Sequence, residues 1–384
     1  MRVLIVSKIL VVAAYRRKLD EIAAQPEVGH LVAVAPPAWR EPGGRTLTFE
    51  PGPRPTTYEL RLEPIRFNGS FRLFYWPGLG HILREVRPDI VHLDEEPYNL
   101  ATALGTLQAR RGGACSLFFT WQNLLRRYPP PFSLFERYVF DHSAWAIAGN
   151  AEAVDVLRAK CYRGPVSIIP QFGVDPDVFR PAERPTATAA SPGVPTIGFV
   201  ARLIDAKGVL VLLDALARLD GAWRLHVIGS GPLLKTARQR AWMLGIAGRI
   251  VWEPGVPSTR MADRMRSFAV VVQPSLTRRN WKEQFGRALM EAMACGVPVI
   301  GSDSGEIPNL IGEAGLLVPE GDVVALRAAL RRVLSEPRLG AELGRRGRAR
   351  VLERFTHRRI AEQTVEVYRA ALATAPCRTE PTIV

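Results

Sequence analysis

Lysine is scarce in this chain, supplying six of 51 basic residues and leaving the rest to arginine. Against 37 acidic residues the formal net charge is +14. Residues 1–180 hold 22 basic and 18 acidic side chains, and residues 181–384 hold 29 and 19. An excess made almost wholly of arginine reflects genomic bias as readily as an anionic partner, so charge alone assigns none. The densest basic run, Arg345 to Arg359, carries Leu352 and Phe355 at helix-like spacing and reads as a solvated helix face. Nucleic-acid binding would need interleaved aromatics or a known module, and the chain offers neither. Cysteine is also sparse. Cys115, Cys161, Cys295 and Cys377 form no C-x-x-C, which argues against a disulfide framework or zinc site and points to a reducing cytoplasm. No run reaches the ~20 apolar residues of a membrane-spanning helix. Arg2 and the apolar stretch to Ala14 imitate a leader peptide, but Lys8 interrupts it and Tyr15-Arg16-Arg17-Lys18 stands where small residues should.

What is present is a globular composition, 47% apolar and 23% charged, over 384 residues. That length suits two domains. Short apolar runs alternate with helix-length amphipathic segments, the pattern of parallel sheets covered on both faces. The runs Val3–Val6, His30–Ala35, Ile90–Leu93, Leu117–Thr120, Trp145–Ala148 and Val166–Ile169 read as strands. Phe71–Val86 and Ala151–Arg163 read as helices, and residues 36–64 as an extended insertion. A Pro- and Ala-rich stretch at 181–195 reads as the linker. Strands follow at Thr196–Ala201, Arg224–Ile228, Ile250–Trp252, Val270–Pro274, Val297–Ser302 and Gly315–Val318. The helices between them are Gly208–Arg218, Leu233–Leu244, Gln284–Cys295 and Val323–Leu334. A last helix, His357–Ala373, has no strand of its own. The fold class expected is α/β, two Rossmann-like doubly wound domains facing a central cleft, with domains at 1–180 and 196–356.

Three segments carry the chemistry. Glu283 and Glu291 lie eight positions apart. With a helix beginning near Gln284 they would be roughly 12 Å apart along its axis at 1.5 Å per residue. That is too far for a glycosidase acid/base pair at about 5–10 Å. They suit two grips on one long ligand, with the amides of Phe285 and Gly286 at the helix mouth as a phosphate seat. Second, an apolar strand ends in a loop carrying Arg202 and Lys207 before Gly208, two cations placed for a diphosphate. Third, Gly229-Ser230-Gly231 forms a strand–turn–helix junction, although Leu234 stands where a dinucleotide site would have its third glycine.

These segments, together with Ile169–Asp175 and Gly301–Pro308, resemble glycosyltransferase family 4, the retaining group 1 type of glycosyl transferases with a GT-B fold. The likeness is strongest from Ile169 to Asp322. It implies that Arg202 and Lys207 hold the donor diphosphate and stabilise its departing charge. It implies contact of Glu283 with the donor sugar and of Glu291 with the ribose. Phe285 and Gly286 would bind phosphate, with Gly229 and Gly231 also on the donor side, and Val256 would border the base. It further implies transfer with retention, no metal or other cofactor, and a final helix crossing back to the first domain. Two segments depart from the family: Val12-Ala13-Ala14-Tyr15 replaces its usual Gly-Gly, and Thr120-Trp121-Gln122-Asn123 lacks its usual histidine. His92 and His142 are the nearby alternatives and both read as structural.

The first domain is expected to choose the acceptor through Glu95, Glu96, Gln122, Asn123 and Arg126. Trp121–Phe132, with its aromatics, arginines and exposed-looking leucines, suits carbohydrate or a lipid headgroup. The expected function is a metal-independent hexosyltransferase that uses a nucleotide sugar and acts on a glycan, glycolipid or small-molecule acceptor. It would work in the cytoplasm, with an anionic membrane contact and no nucleic acid. The competing readings are a GT-B-fold epimerase or phosphorylase and a non-catalytic basic membrane-binding protein.

Overall fold

The computed structural model describes residues 1–41, 44, 46–52, 56–182 and 193–374, except the side chains of Ser258 and Thr259. Residues 183–192 of the expected linker therefore lie outside the described residues. The chain divides into two compact units, Met1–Gly173 with the segment from His357 onward, and Val174–Thr356.

The strands in chain order are β1 Arg2–Val6, β2 His30–Ala35, β3 Ala38–Arg40, β4 Thr46–Thr48, β5 Glu59–Leu62, β6 Ile90–Leu93, β7 Cys115–Thr120, β8 Trp145–Ala148 and β9 Val166–Ile168. The second unit adds β10 Thr196–Val200, β11 Arg224–Ile228, β12 Ile250–Glu253, β13 Val270–Gln273, β14 Val299–Ser302 and β15 Leu316–Val318. Among the described residues the first unit holds a seven-stranded sheet ordered β5-β2-β1-β6-β7-β8-β9, and the second a six-stranded sheet ordered β12-β11-β10-β13-β14-β15. Neighbouring strands in both run parallel, for example Val3 beside Ile90 and Gly198 beside Val271. Parallel strands are buried on both faces, which is why Val3–Val6 and Val270–Val272 could be read as unbroken apolar runs.

Strand order reverses between β1 and β6 in the first sheet and between β10 and β13 in the second. Open parallel sheets take ligands at the carboxyl ends of strands flanking such a reversal. The fold therefore points to the loops after β1 and β6, and after β10 and β13.

Several boundaries differ from expectation for local reasons. Only Leu79–Val86 of the expected helix 71–86 is helical. Pro77 disfavours helical backbone at Trp76, and the helix starts beyond it. Residues 36–64 are only partly an insertion: β3 and β4 form a small antiparallel pair, while β5 extends the main sheet beside β2. The basic run Arg345–Arg359 is not one solvated face. It spans two helices, Pro337–Arg354 and His357–Thr374. Within it, Arg348 donates to the carbonyls of Phe179, Ala294 and Pro176, and Arg350 to those of Leu310 and Asn309.

The His357–Thr374 helix buries Ile360, Ala361, Val365, Val367, Tyr368 and Ala371 in the core of the first unit, with Val3, Ile5 and Leu19. Fully burying such an aliphatic or aromatic side chain contributes about 1.5–3 kcal/mol. This helix is part of that unit's core although the whole second unit precedes it in sequence.

Candidate active site

In the second unit the loop after β10 is stitched to both of its neighbours. Ala201 N donates to Ile228 O (3.1 Å) and Leu203 N to Ser230 O (2.9 Å), which brings the Gly229–Gly231 turn against Arg202. On the other side, Leu276 N donates to Ala206 O (2.8 Å). Gly208 makes that approach possible. Its φ is +70°, and a Cβ there would lie 1.8 Å from Pro274 O.

Lys207 consequently faces the end of β13. Its Nζ donates to Glu283 Oε2 at 2.6 Å and sits 4.9 Å from the centre of the Trp281 ring. Gln273 Nε2 (2.6 Å) and Ser275 Oγ (2.9 Å) donate to the same carboxylate oxygen. Glu283 is 6% exposed, so these donors replace the water its charge would otherwise hold. Its backbone carbonyl accepts from Glu306 N (3.2 Å), and Gly305, with φ +53°, packs so closely that a Cβ would lie 2.0 Å from that oxygen. The result is a fixed carboxylate–ammonium pair at the switch point between β10 and β13. An ammonium carries three donors, so Lys207 keeps hydrogen-bonding capacity for an anion. Arg202 is exposed on the same loop.

The expected helix start near Gln284 is corrected. The helix runs Arg287–Ala294, and Gly286, with φ +92°, caps its start. Glu283 lies in the loop before it, so helical rise does not measure the Glu283–Glu291 separation. Glu291 is on the helix, nearly buried, and accepts from Arg287 Nε one turn earlier (2.7 Å). The Phe285 side chain is buried, in edge contact with Phe355 at 5.8 Å. Val256 follows the edge strand β12, two strands away from β10.

Gln273, Ser275 and Trp281 escaped sequence reading. The available signal was the polar pair that ends the apolar run of β13 in Val-Val-Val-Gln-Pro-Ser. An Asp-x-Asp occurs at Asp175-Pro176-Asp177. Asp175 Oδ1 accepts from Asp177 N (2.9 Å), closing a local turn. Among the described residues, no group of three or more His, Cys, Asp or Glu side chains converges as a metal site.

In the first unit, the ends of β1 and β6 bring together buried charges. Lys8 pairs with Glu95, and its backbone amide donates to the same carboxylate (2.8 Å). The Lys8 ammonium also lies 4.7 Å and 4.9 Å from the Phe71 and Phe74 ring centres. Burial pushes the Glu95 carboxyl up, and Lys8 opposes it. Glu96 accepts from Thr120 Oγ1 (2.7 Å) and Trp121 N (2.9 Å), and burial pushes it up to about 7. Burial works in the same direction on Asp94, but Lys18, His92 and Gln171 outweigh it and hold that carboxyl below its usual range.

Gln122 accepts from Lys160 Nζ (2.6 Å), which also donates to Glu136 (2.6 Å). Asn123 Nδ2 donates to Glu152 (3.3 Å). His92 is buried, with its Nδ1 2.7 Å from the Tyr368 hydroxyl, and desolvation lowers it to about 4. His142 Nδ1 bonds the Tyr138 carbonyl at 2.8 Å. Both histidines are thus engaged by the fold. Arg126 lines a pocket of about 300 Å³ with Phe71, Arg72, Tyr98 and Tyr128.

With this geometry in view, residues 183–350 match the family described as Glycosyl transferases group 1. That stretch is similar to a group 1 glycosyltransferase domain. It is 33% identical over 246 residues to a D-inositol 3-phosphate glycosyltransferase of Streptomyces avermitilis, covering 59% of this chain and 52% of that protein. It is 33% identical over 181 residues to a GDP-mannose-dependent alpha-(1-6)-phosphatidylinositol monomannoside mannosyltransferase of Mycolicibacterium smegmatis, covering 44% and 47%. The chain thus spans about half the length of the curated relatives it matches. Among solved structures, sucrose-phosphate synthase of Thermosynechococcus elongatus aligns with a TM-score of 0.72 at 20% identity, covering 98% of this chain and 100% of that one. Anabaena HepE in complex with UDP aligns at 0.75 and 16%, covering 96% and 100%. The fold of this glycosyltransferase-like chain is GT-B, with two Rossmann-like domains. No helix among the described residues is long and apolar enough to cross a membrane.

Proposed function

We propose that the chain transfers a hexose from a nucleotide-diphosphate sugar to a hydroxyl of a glycan, glycolipid or small polyol, with retention at the anomeric carbon. The observation that carries this reading is the Lys207–Glu283 pair at the β10/β13 switch point, beside the exposed Arg202. As the donor bond breaks, negative charge grows on the diphosphate, and the two cations of this loop stabilise it most where it is greatest. They would do so without a metal ion. Glu283, oriented by Lys207, Gln273 and Ser275, is placed to accept from donor sugar hydroxyls. Glu291 would take the ribose, the Phe285 and Gly286 backbone and the Gly229–Gly231 turn the phosphates, and Val256 the base. The likeness to HepE, solved with UDP, supports a nucleotide-sugar donor.

The acceptor side rests on the first unit. The relatives' names mention inositol phosphate and phosphatidylinositol mannoside, which supports a polyol phosphate or glycolipid acceptor; work on cell-surface glycans at the cytoplasmic side is part of the same proposal. In this reading Gln122, Asn123 and Arg126 contact the acceptor, while Glu95 and Glu96 act from behind by holding Lys8 and the Thr120–Trp121 turn.

The test is a thermal-shift and hydrolysis screen against UDP-, GDP- and ADP-sugars. A bound donor raises apparent stability, and slow release of free sugar identifies the one that reacts. No shift and no hydrolysis with any donor would remove the proposal.

A further inference from the structure

The pocket at Arg126 lies wholly within the first unit and is built from three separate segments. Phe71 and Arg72 precede the Leu79–Val86 helix, Tyr98 follows β6, and Arg126 and Tyr128 follow β7. Its lining is two guanidinium groups, two phenols and one phenyl ring. At about 300 Å³ it stands at the lower end of the ~300–1,000 Å³ typical of small-molecule sites.

The lining is held in place. Leu100 N donates to Arg72 O at 2.9 Å, which ties Arg72 to the start of the Leu100–Arg111 helix. The Arg72 guanidinium lies 4.7 Å from the Phe132 ring centre. Stacking covers the flat face of a guanidinium and leaves its N–H groups pointing outward in the plane, the geometry that meets two oxygens of one phosphate. The Tyr98 and Tyr128 rings are 4.2 Å apart, and Lys160 Nζ sits 4.7 Å from the Tyr128 ring centre. Burial raises both phenols, Tyr128 to about 12 and Tyr98 further; the Tyr98 hydroxyl is committed to Tyr128, and the protonated Tyr128 hydroxyl remains as a donor toward an anion. Two cations, a neutral phenol donor and aromatic faces are complementary to a ring-shaped polyol that carries a phosphate.

We propose that this pocket of the first unit binds the phosphate of a phosphorylated sugar or polyol acceptor through Arg72 and Arg126, with Tyr98 and Tyr128 as hydrogen-bonding and stacking partners. The inference rests on the glycosyltransferase reading for its use of the word acceptor, but the binding itself does not. The phosphate belongs either to a free sugar phosphate or to a lipid headgroup. Both present the same dianionic or monoanionic group to the arginines.

The test is calorimetric titration of the full chain with glucose 6-phosphate, glucose and inorganic phosphate, with flotation on phosphatidylcholine vesicles with or without phosphatidylinositol. Each is repeated with R72Q/R126Q and with R126K. The expected result is binding of glucose 6-phosphate but not glucose, weakened at least about tenfold in R72Q/R126Q and less in R126K. If only the phosphatidylinositol vesicles bind, and the double variant releases them, the phosphate comes from a lipid headgroup. Equal binding of glucose, unchanged affinity in the double variant, or no binding by any probe would overturn the pocket. UDP, GDP and ADP are titrated into the same samples. Retained nucleotide binding with a silent pocket sinks this inference alone, whereas phosphate binding at the pocket without any nucleotide binding sinks the donor reading alone.

Discussion

Lys207 and Glu283 meet at 2.6 Å although 76 residues of chain separate them. Each is half of the pair that carries the proposed donor site, and each limits the freedom of the other.

Replacing Lys207 with Ala should therefore have two effects. Loss of a cation that stabilises developing charge costs about 10²–10³ in kcat. Leaving Glu283 with one donor fewer should also lower stability by about 1–3 kcal/mol. Steady-state kinetics and thermal melts of the same sample read the two separately. A variant with wild-type turnover would end the assignment of Lys207.

Arg202→Ala should behave differently, because Arg202 is exposed and the loop is fixed through its backbone. Its melting temperature should stay within a degree or so of wild type, since surface changes usually stay within about 0.5 kcal/mol. Affinity for the nucleoside diphosphate should fall about ten- to hundredfold, the loss of a charged hydrogen bond. Calorimetry with the preferred nucleotide decides it, and unchanged affinity would place the diphosphate elsewhere.

Gly305→Ala probes the backbone behind Glu283. The added Cβ would lie 2.0 Å from the Glu283 carbonyl, at a φ of +53°. The loop must shift, so the variant should melt lower and lose sugar transfer without touching any charged group. An active, fully stable G305A would show that the exact placement of Glu283 is immaterial.

Glu96 gives a pH signature. Burial raises its folded pKa to about 7, above the ordinary value of 4.5. The folded state then holds a proton that the unfolded chain has lost, so this contribution is full below about 4.5 and disappears as pH rises through about 7. His92, lowered to about 4 by burial, acts oppositely and destabilises as pH falls below 6.5. The total curve mixes both, so the informative quantity is wild type minus Glu96→Gln. That difference in melting temperature should turn against wild type between pH 4.5 and pH 7. A flat difference would show that Glu96 is charged throughout.

The strands were legible because both sheets are parallel and buried on both faces, which writes them as apolar runs such as Val3–Val6. Arg202, Lys207 and Glu283 were legible because loops after such runs carry site residues. The start of the Arg287 helix was not, since it depends on the left-handed Gly286 packed beside Leu310. Nor were the partners. Gln273, Ser275 and Trp281 converge on Lys207 and Glu283 only after β13 takes its place beside β10. Lys8 was read only as a charge interrupting an apolar run, because Glu95 and the Phe71 and Phe74 rings reach it through the sheet.

The closing helix of the first unit bears on how the chain is made. Domains generally fold as units, earliest first, as they leave the ribosome. Here the earliest one cannot finish. The partner of His92, the Tyr368 hydroxyl at 2.7 Å, and the surface that covers Val3, Ile5 and Leu19 are synthesised only after the whole second unit. Until then the nascent first unit lacks the helix that covers this apolar seam.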